Sequence, residues 1–442
     1  MSSISSPKKL LTILIIATLS PLFQSCISSR QIQRESSFIA VQNVNIVDVL
    51  NGSVLYNKSV VIKDSLIYFI GDLFTEKVNP NEKYIDGKGK YLLPGLWDMH
   101  FHLCWDSIND SLLFPALIKN GITGLRDMGG DLAIMRIFKE DVKSGKYIGP
   151  QIYGAGPMID GNPPVHRDFS LPVDGNTNMF EILDSLKKNG SDFFKPYSLI
   201  KENQLRDISR YCHANNMSFE GHLSEYIEPE ISLSLGQKSV EHLNRLDEIW
   251  QNSKERIDDI ANLMITNKTF LCPTLITYEL KTKLRDTSIL NPAYNKYISP
   301  TLMEEWKSNW ASRIKKYSKD SDLRKLDSTF ISELALVAHL NKMGVFLLAG
   351  SDFAGMPYVY PGVGLQEELA LLVKAGLTTQ QALKTATINP AIFMSLEKSY
   401  GSITVGKMAD MILLEKNPLE NIENTRSITS VFLKGKLVTI LK

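Results

Sequence analysis

The sequence predicts an α/β protein built as a (β/α)8 barrel, or TIM barrel, with a small discontinuous β-sandwich contributed by both ends of the chain. Eight strand-like apolar runs alternate with amphipathic stretches between about residues 93 and 400, which is the pattern of parallel strands joined by helices. The flanks, residues 38–92 and 401–442, are instead rich in β-branched residues and tight-turn signals. A chain of 442 residues can hold a barrel of about 250 residues and a second, smaller unit.

Composition places the chain among ordinary globular proteins. Hydrophobic residues make up 43% and charged residues 22%, which indicates neither general disorder nor a protein with many membrane spans. The 49 Lys and Arg residues nearly balance the 48 Asp and Glu residues, for a formal net charge of +1. This balance argues against nucleic acid, or another polyanion, as a partner selected by bulk charge.

Residues 1–26 have the features of an export signal. Lys8 and Lys9 precede an apolar run, Leu10 to Phe23, that is too short to cross the roughly 30 Å of a bilayer as a helix. The run ends at Cys26 in a pattern that resembles a bacterial lipoprotein cleavage site, with an ordinary secreted protein as the alternative. We therefore expect an exported protein of the cell envelope that faces the periplasm or the exterior. The membrane would be contacted only through a lipid anchor on Cys26.

The flanking strands are indicated by their turn residues. Asn51-Gly52 and Gly71-Asp72 divide the first flank into short strands, since these dipeptides favour tight turns. A similar pattern of short β-branched runs and turn residues recurs at residues 401–406 and 428–438. Because the two flanks lie before and after the predicted barrel, we expect them to combine into one small discontinuous β-sandwich.

The barrel strands are predicted from apolar runs that end in polar residues. A barrel of this kind carries its functional side chains at the carboxyl ends of the strands. The predicted strands are residues 91–102, 121–127, 150–156, 192–197, 218–222, 239–242, 269–274 and 344–352.

The interval between the last two predicted strands is too long for a single barrel helix. Its excess, at about residues 276–330, is predicted to form helices over the mouth of the barrel, with a surface insertion as the alternative. The segment contains Tyr294, Tyr297, Trp306 and Trp310, which suggest aromatic walls for a substrate.

Histidines and one aspartate occupy the ends of several predicted strands. His100 and His102 are two residues apart on one strand, so their side chains share a face. His222 and His242 end two neighbouring strands, and Asp352 ends the last one. Imidazole and carboxylate groups that converge in this way are typical ligands of a divalent transition metal such as zinc.

Lys195 lies at the end of the fourth predicted strand, in the same ring of strand ends. A protonated ammonium cannot bind a cation, but a neutral amine that reacts with CO₂ becomes a carbamate able to bridge two metal ions. The alternative is a lysine paired with a nearby acid beside a single metal ion.

Taken in order, these segments resemble the amidohydrolase superfamily, and within it the imidazolonepropionase-related and prolidase-like branch. The resemblance extends over nearly everything from residue 40 onward. It rests on residues 93–103 with their His-x-His motif, 121–129, 190–197, 221–222, 236–243, 349–352, 375–378, 386–390 and 401–414.

The resemblance implies two divalent metal ions, expected to be zinc, and assigns the six candidate ligands between them. The assignment is His100, His102 and Asp352 for the more buried ion, His222 and His242 for the more exposed ion, and carboxylated Lys195 as the bridge.

The resemblance also implies hydrolysis of an amide, peptide or cyclic amide bond by metal-bound hydroxide. Asp352 would take the proton from the nucleophile and deliver it to the leaving amine, as a general base that becomes a general acid. One alternative is a heterocycle deaminase with a single metal, because Glu225 follows His222 by three residues. Another is an envelope protein that binds ligands without turnover.

Three further residues are candidates for contact with a small-molecule or dipeptide-like substrate. Tyr197 follows Lys195 by two residues and could donate a hydrogen bond to a developing oxyanion. His166 and Arg167 lie in a loop after the third predicted strand, where Arg167 could bind a carboxylate. The sequence leaves the oligomeric state open, a homo-oligomer included.

Overall fold

Strands occur in two regions of the chain, near its ends and in its middle. The computed structural model describes residues 38–72 and 83–438, so the predicted export signal and Cys26 lie outside the described residues. The strands are β1 (Phe38–Asp48), β2 (Ser53–Lys63), β3 (Leu66–Gly71), β4 (Lys83–Asp86), β5 (Tyr91–Pro94), β6 (Leu96–Phe101), β7 (Ile122–Asp127), β8 (Gln151–Gly154), β9 (Met158–Gly161), β10 (Ser170–Val173), β11 (Glu220–Gly221), β12 (Ser239–Glu241), β13 (Phe270–Cys272), β14 (Met411–Leu414), β15 (Ile428–Leu433) and β16 (Lys436–Val438).

Helices fill the intervals between the central strands. Short 3₁₀ helices at Thr287–Ile289, Pro292–Tyr297 and Ile422–Arg426 supplement them. The α-helices are α1 (Asn109–Lys119), α2 (Leu132–Ser144), α3 (Met179–Lys188), α4 (Glu202–Asn215), α5 (Pro229–Ser234), α6 (Leu246–Asn252), α7 (Lys254–Asn267), α8 (Leu275–Thr282), α9 (Pro300–Lys316), α10 (Asp320–Met343), α11 (Val363–Lys374), α12 (Thr379–Thr385) and α13 (Ile388–Phe393). None of the helices among the described residues is both long enough and apolar enough to span a bilayer.

The strands of the two chain ends belong to one hydrogen-bonded sheet. Its order is β16-β15-β14-β5-β1-β2-β3, with β4 paired to β1. The two ends meet where β5 pairs with β14 in antiparallel register, Leu93 opposite Ile412. At the other edge, an isolated bridge joins Leu66 of β3 to Met408, which precedes β14. The apolar residues on one face of this sheet form a buried cluster of their own.

The middle of the chain forms parallel strand pairs. β6, β7 and β8 pair in that order, as do β11, β12 and β13. Parallel bridges then join Phe194 to Phe219 and Leu271 to Leu347. Backbone hydrogen bonds connect Asp192 to Gly154 and Met99 to Ala349. Helices separate most of these strands along the chain, and the fold is therefore of the predicted α/β class.

Two of the eight predicted central strands are present only as isolated bridges. Residues 192–197 pair through Phe194 and Pro196, and residues 344–352 pair through Leu347. Pro196 has no amide hydrogen to donate to a ladder, and Asp352 adopts a φ of 55°. Regular strand pairing therefore ends at a predicted metal ligand in both segments, next to Lys195 in the first and at Asp352 in the second. One parallel pair, β9 with β10, was not predicted.

The long interval after β13 folds into helices. Trp306 of α9 is 2% exposed and packs edge-on against Phe353, with ring centroids 6.1 Å apart. Trp310 is also buried and packs against Tyr358, with ring centroids 5.3 Å apart. Helix α9 therefore rests on the segment that follows Asp352. These two tryptophans pack into the core, so the expectation that they form aromatic substrate walls is wrong.

Candidate metal centre

Five of the predicted ligand residues converge at the carboxyl ends of the central strands. The His100 ring centroid lies 5.5 Å from that of His102 and 4.6 Å from that of His242. The rings of His222 and His242 are 4.8 Å apart. Asp352 Oδ1 lies 3.4 Å from Nε2 of both His100 and His102. The four imidazoles and this carboxylate therefore surround one small volume.

Each of the four histidines is oriented through its Nδ1 atom. This arrangement leaves Nε2 directed elsewhere, which is the usual way in which a protein fixes an imidazole as a metal ligand. The Nδ1 contacts are His100 to Glu241 Oε2 at 2.8 Å, His102 to the Gly129 carbonyl at 2.9 Å, His222 to Ser198 Oγ at 3.0 Å and His242 to Thr274 Oγ1 at 2.6 Å.

The donor set fits a divalent cation. Nε2 of His100 and of His222 is buried and makes no hydrogen bond among the described residues. Ligand atoms of His100, His242 and Asp352 all lie within 4.8 Å of one another. Burial lowers the pKa of His242 to about 4 and also holds the pKa values of His100 and His222 below their ordinary range. The imidazoles of these three histidines are therefore neutral near pH 7, as ligation requires.

Lys195 lines the same cavity as His102, His242 and Asp352. Its side chain is 1% exposed, and its Nζ lies 5.4 Å from the ring centroid of Tyr197. Burial lowers the pKa of Lys195 to about 8, although Asp352 and Glu241 partly oppose the shift. Within residues 38–72 and 83–438 its ammonium has neither a hydrogen bond nor an ion pair. The amine is consequently available for chemistry.

The backbone approaches Lys195 closely at Gly221. A Cβ atom at Gly221 would lie 2.2 Å from the carbonyl oxygen of Pro196 and 3.3 Å from Cγ of Lys195. Only glycine allows these two chain segments to lie so close together. Gly221 therefore holds Lys195 against the strand end that carries His222.

A buried ion network lies beneath the histidines. Arg126 is fully buried, and its Nη1 and Nη2 atoms lie 2.8 Å from Glu220 and 2.7 Å from Glu241. The second oxygen of Glu241 holds His100. Arg126 is thus a structural residue that acts on the centre through Glu241.

Neither Glu220 nor Glu241 was predicted as a site residue from the sequence. The two-residue spacing of Glu220 and His222, which places both on one strand face, was a signal that could have identified Glu220.

Tyr197 and His166 face the centre, whereas Arg167 does not. Arg167 is exposed and is not part of the cavity wall. The cavity has a volume of about 50 Å³ and is lined by His102, Trp105, Met158, His166, Lys195, Tyr197, His242, Asp352 and Gly355.

Aromatic rings form one wall of this cavity. Trp105 stacks on Phe169 with centroids 4.4 Å apart and lies 4.5 Å from the ring of His102. On the other side, the rings of Tyr197 and His222 are 3.9 Å apart. Sequence reasoning missed Trp105, because a single tryptophan three residues after His102 carries no recognisable pattern.

Comparisons with known proteins identify the family of this chain. A model of the amidohydrolase family matches residues 91–438. Ochratoxinase of Aspergillus niger is 23% identical over 455 aligned residues, covering 88% of this chain and 84% of the relative. 5'-Deoxyadenosine deaminase of Methanobrevibacter smithii is 25% identical over 411 residues, with coverages of 84% and 83%. An imidazolonepropionase of Christiangramia forsetii is 40% identical, but only over 70 residues, covering 15% of this chain and 17% of the relative.

The fold also matches solved structures. A Xaa-Pro dipeptidase with methionine bound in its active site superposes with a TM-score of 0.69 at 21% identity, over 91% of this chain and 100% of that one. The resemblance inferred from the sequence motifs is therefore confirmed. The chain belongs to the amidohydrolase family and is a hydrolase of carbon–nitrogen bonds.

Proposed function

We propose that this hydrolase uses two divalent metal ions, with zinc as the expected metal, to cleave an amide, peptide or cyclic amide bond. The observation that carries the proposal is the set of four imidazoles, three of them buried, each held through Nδ1 and grouped around Asp352. His100, His102 and Asp352 would hold the first ion, and His222 and His242 the second. Bound at this position, divalent cations would activate water and polarise the scissile carbonyl.

We further propose that the central strands close into an eight-stranded barrel and that the terminal sheet folds into a sandwich. The parallel pairing of β6 to β8 and β11 to β13 supports the closure, as do the bridges at Phe194 and Leu347. The bridge from Leu66 to Met408 supports a sheet that curls back on itself. In such a barrel the ligands occupy the carboxyl-terminal rim, where these folds carry their active sites.

Lys195 is proposed as a carbamate that bridges the two metal sites. Its amine is largely buried, has a pKa near 8 and lacks an ion pair among the described residues, so a neutral fraction can add CO₂ at ordinary pH. The product carries two oxygen donors in place of a cation. It also removes the positive charge that would oppose metal binding.

Asp352 is positioned to move the proton in this reaction. Burial opposes its negative charge, but His102, His242 and Lys195 outweigh that effect and keep the pKa of Asp352 below its ordinary range. The carboxylate can therefore accept a proton from the attacking water and return it to the leaving amine. Tyr197 borders the same cavity, and because burial raises the pKa of its phenol well above 10, it stays a hydrogen-bond donor.

The position of Glu225 argues against the deaminase alternative. Its side chain is exposed and borders a different cavity, of about 600 Å³, together with Asn244 and Arg245. A glutamate acting on a heterocycle at the metal centre would have to face the same cavity as Lys195 and Asp352. The geometry therefore favours the amide hydrolase.

Metal content tests the role of Lys195. Protein purified with zinc and bicarbonate should contain two ions per chain by elemental analysis, whereas Lys195→Ala should contain one or fewer and lose turnover of a dipeptide and lactam panel. Lys188→Ala, at an exposed lysine of α3, is the matched control and should keep both ions. A Lys195→Ala variant with two ions and full turnover would exclude the bridge. One ion in the unmodified protein, together with deamination of a heterocycle, would favour the deaminase.

The lipid anchor is proposed from residues 1–26 alone. We expect the full-length protein to sediment with membranes and to enter the detergent phase of a Triton X-114 partition. Cys26→Ser should move it to the aqueous phase, because the acylated residue is lost. Cys212→Ser, at a buried cysteine of α4, should leave the partition unchanged. Equal partition of the Cys26→Ser variant and the unmodified protein would favour the ordinary secreted form.

A further inference from the structure

Thr274 holds His242 from an unusual backbone conformation. It is fully buried, and its Oγ1 atom lies 2.6 Å from Nδ1 of His242. Its φ of 48° lies in the left-handed region, which a β-branched residue rarely adopts because its side chain crowds the backbone there. His242 itself has a φ of 64°. The contact that orients this imidazole therefore joins two residues whose backbones must be held in place by other contacts.

Thr274 also stands at the N-terminal cap position of α8, yet it does not cap the helix. A threonine at this position commonly accepts a hydrogen bond from an amide of the first helical turn. Here the side chain of Thr274 makes no such bond, and its Oγ1 atom contacts His242 instead. If Nε2 of His242 binds a metal ion, Nδ1 carries the proton and donates it to Thr274 Oγ1. The first amides of α8 consequently need an acceptor from elsewhere.

Glu368 of α11 supplies that acceptor. Its side chain is fully buried, and its Oε2 atom accepts a hydrogen bond of 2.8 Å from the backbone amide of Ile276. Burial raises the pKa of Glu368 to about 8, although hydrogen bonds from the amides of Ile276 and Leu275 oppose the rise. A buried acid from another helix thus binds the two amides that directly follow Thr274.

The remaining surroundings of Glu368 give it no second role. Its Oε1 atom has no hydrogen-bond partner among the described residues, and the side chain does not line the cavity that holds the metal ligands. A buried carboxyl group that is bound on one side costs stability compared with an apolar side chain of similar size. The contact with α8 is therefore the feature of Glu368 that requires a carboxyl group.

We propose that Glu368 is a positioning residue for the metal centre. By binding the first amides of α8 it holds Thr274 in its left-handed conformation, and Thr274 in turn fixes the ring of His242. The inference rests on the proposed binding of the second metal ion by His222 and His242. Loss of the acceptor on Glu368 should therefore weaken the binding of that ion more than the binding of the first.

The test compares variants by their zinc affinity. Full-length protein prepared with zinc and bicarbonate is titrated with a chromophoric chelator, and the dissociation constant of each ion is measured. Glu368→Met keeps the side-chain volume but loses the oxygen acceptor, so it should weaken the second ion about ten- to hundredfold, the range for residues that orient a metal ligand. Thr274→Val should have the same effect. Glu368→Gln keeps an acceptor and should stay within about threefold of the unmodified protein.

Glu333→Met is the matched control. Glu333 of α10 is 3% exposed, and burial raises its pKa to about 8, as it does for Glu368. Within residues 38–72 and 83–438 no hydrogen bond connects Glu333 to α8. Both zinc affinities should be unchanged in this variant, since it loses a buried acid but keeps the contact with Ile276.

A double variant separates positioning from a general loss of stability. If Glu368 acts through Thr274, combining Glu368→Met with Thr274→Val should weaken the second ion no more than Thr274→Val does alone. Additive losses in the double variant, or an unchanged affinity in Glu368→Met, would overturn the proposal. If Glu368→Met folds poorly by thermal denaturation, Glu368→Asp, whose carboxyl group is one methylene shorter, replaces it in the same comparison.

The outcomes distinguish this inference from the proposed function. A single ion in the unmodified protein would overturn hydrolysis by two metal ions. The role of Glu368 is then decided on the ion that is bound: equal weakening by Glu368→Met and Thr274→Val supports it, and an unchanged affinity in Glu368→Met overturns it. A protein that binds no zinc would overturn both.

Discussion

Replacing Asp352 with asparagine should reduce kcat by a factor of about 10²–10⁴, the range over which a positioned acid–base group contributes to catalysis. Asparagine keeps an oxygen atom near His100 and His102 but can neither accept nor release the proton. The expected loss is therefore in turnover, with little change in KM. Steady-state kinetics on the best substrate of the dipeptide panel measures it.

The control for this substitution is a second histidine–aspartate contact. Asp258 accepts a hydrogen bond of 2.6 Å from His339 at the surface, and Asp258→Asn should leave kcat unchanged. Zinc content should be measured on both variants, because a loss of metal from Asp352→Asn would change the interpretation from proton transfer to ligation. Turnover by Asp352→Asn within a factor of three of the unmodified protein would contradict the assigned role.

Replacing Arg126 with methionine should lower the free energy of unfolding by about 3–5 kcal/mol, the cost of leaving a buried charge without its partner. Arg126 is the cation that faces both Glu220 and Glu241 at hydrogen-bonding distance, and all three side chains are fully buried. Without it, Glu241 can also no longer hold His100 in a fixed orientation. Denaturant unfolding of the zinc-loaded protein and of the metal-free protein measures the two effects separately.

Two further variants give this prediction its control. Arg206 pairs with Glu202 on the exposed face of α4, and Arg206→Met should cost less than about 1 kcal/mol. Adding Glu220→Gln and Glu241→Gln to Arg126→Met should recover part of the lost stability, since it removes the two carboxylates that lost their partner. A loss below about 1 kcal/mol for Arg126→Met would mean that the network is not a significant source of stability.

The convergence of the ligand residues could be expected from the sequence because it depends on local geometry. His100 and His102 share a strand face at a spacing of two, and His222 and His242 end successive strands. Parallel strands in one sheet place such ends at the same edge. Distances of 4.6–5.5 Å between the rings agree with that expectation.

The residues that would contact a substrate could not be predicted from the sequence in the same way. His166 and Arg167 are neighbours in one loop, yet the side chain of His166 faces the cavity and that of Arg167 is exposed. Trp306 and Trp310 show the same limitation, because composition does not distinguish a core aromatic from one that faces a ligand.

The pairing of β5 with both β1 and β14 has a consequence for how the protein is made. The first strands leave the ribosome long before β14 and β15 exist, so one edge of their sheet stays without its neighbour throughout most of translation. Contacts between such distant parts of a chain also form slowly. A chain released early, or shortened near its carboxyl terminus, would therefore be left with an open edge and should be prone to aggregation or a substrate for chaperones and proteases.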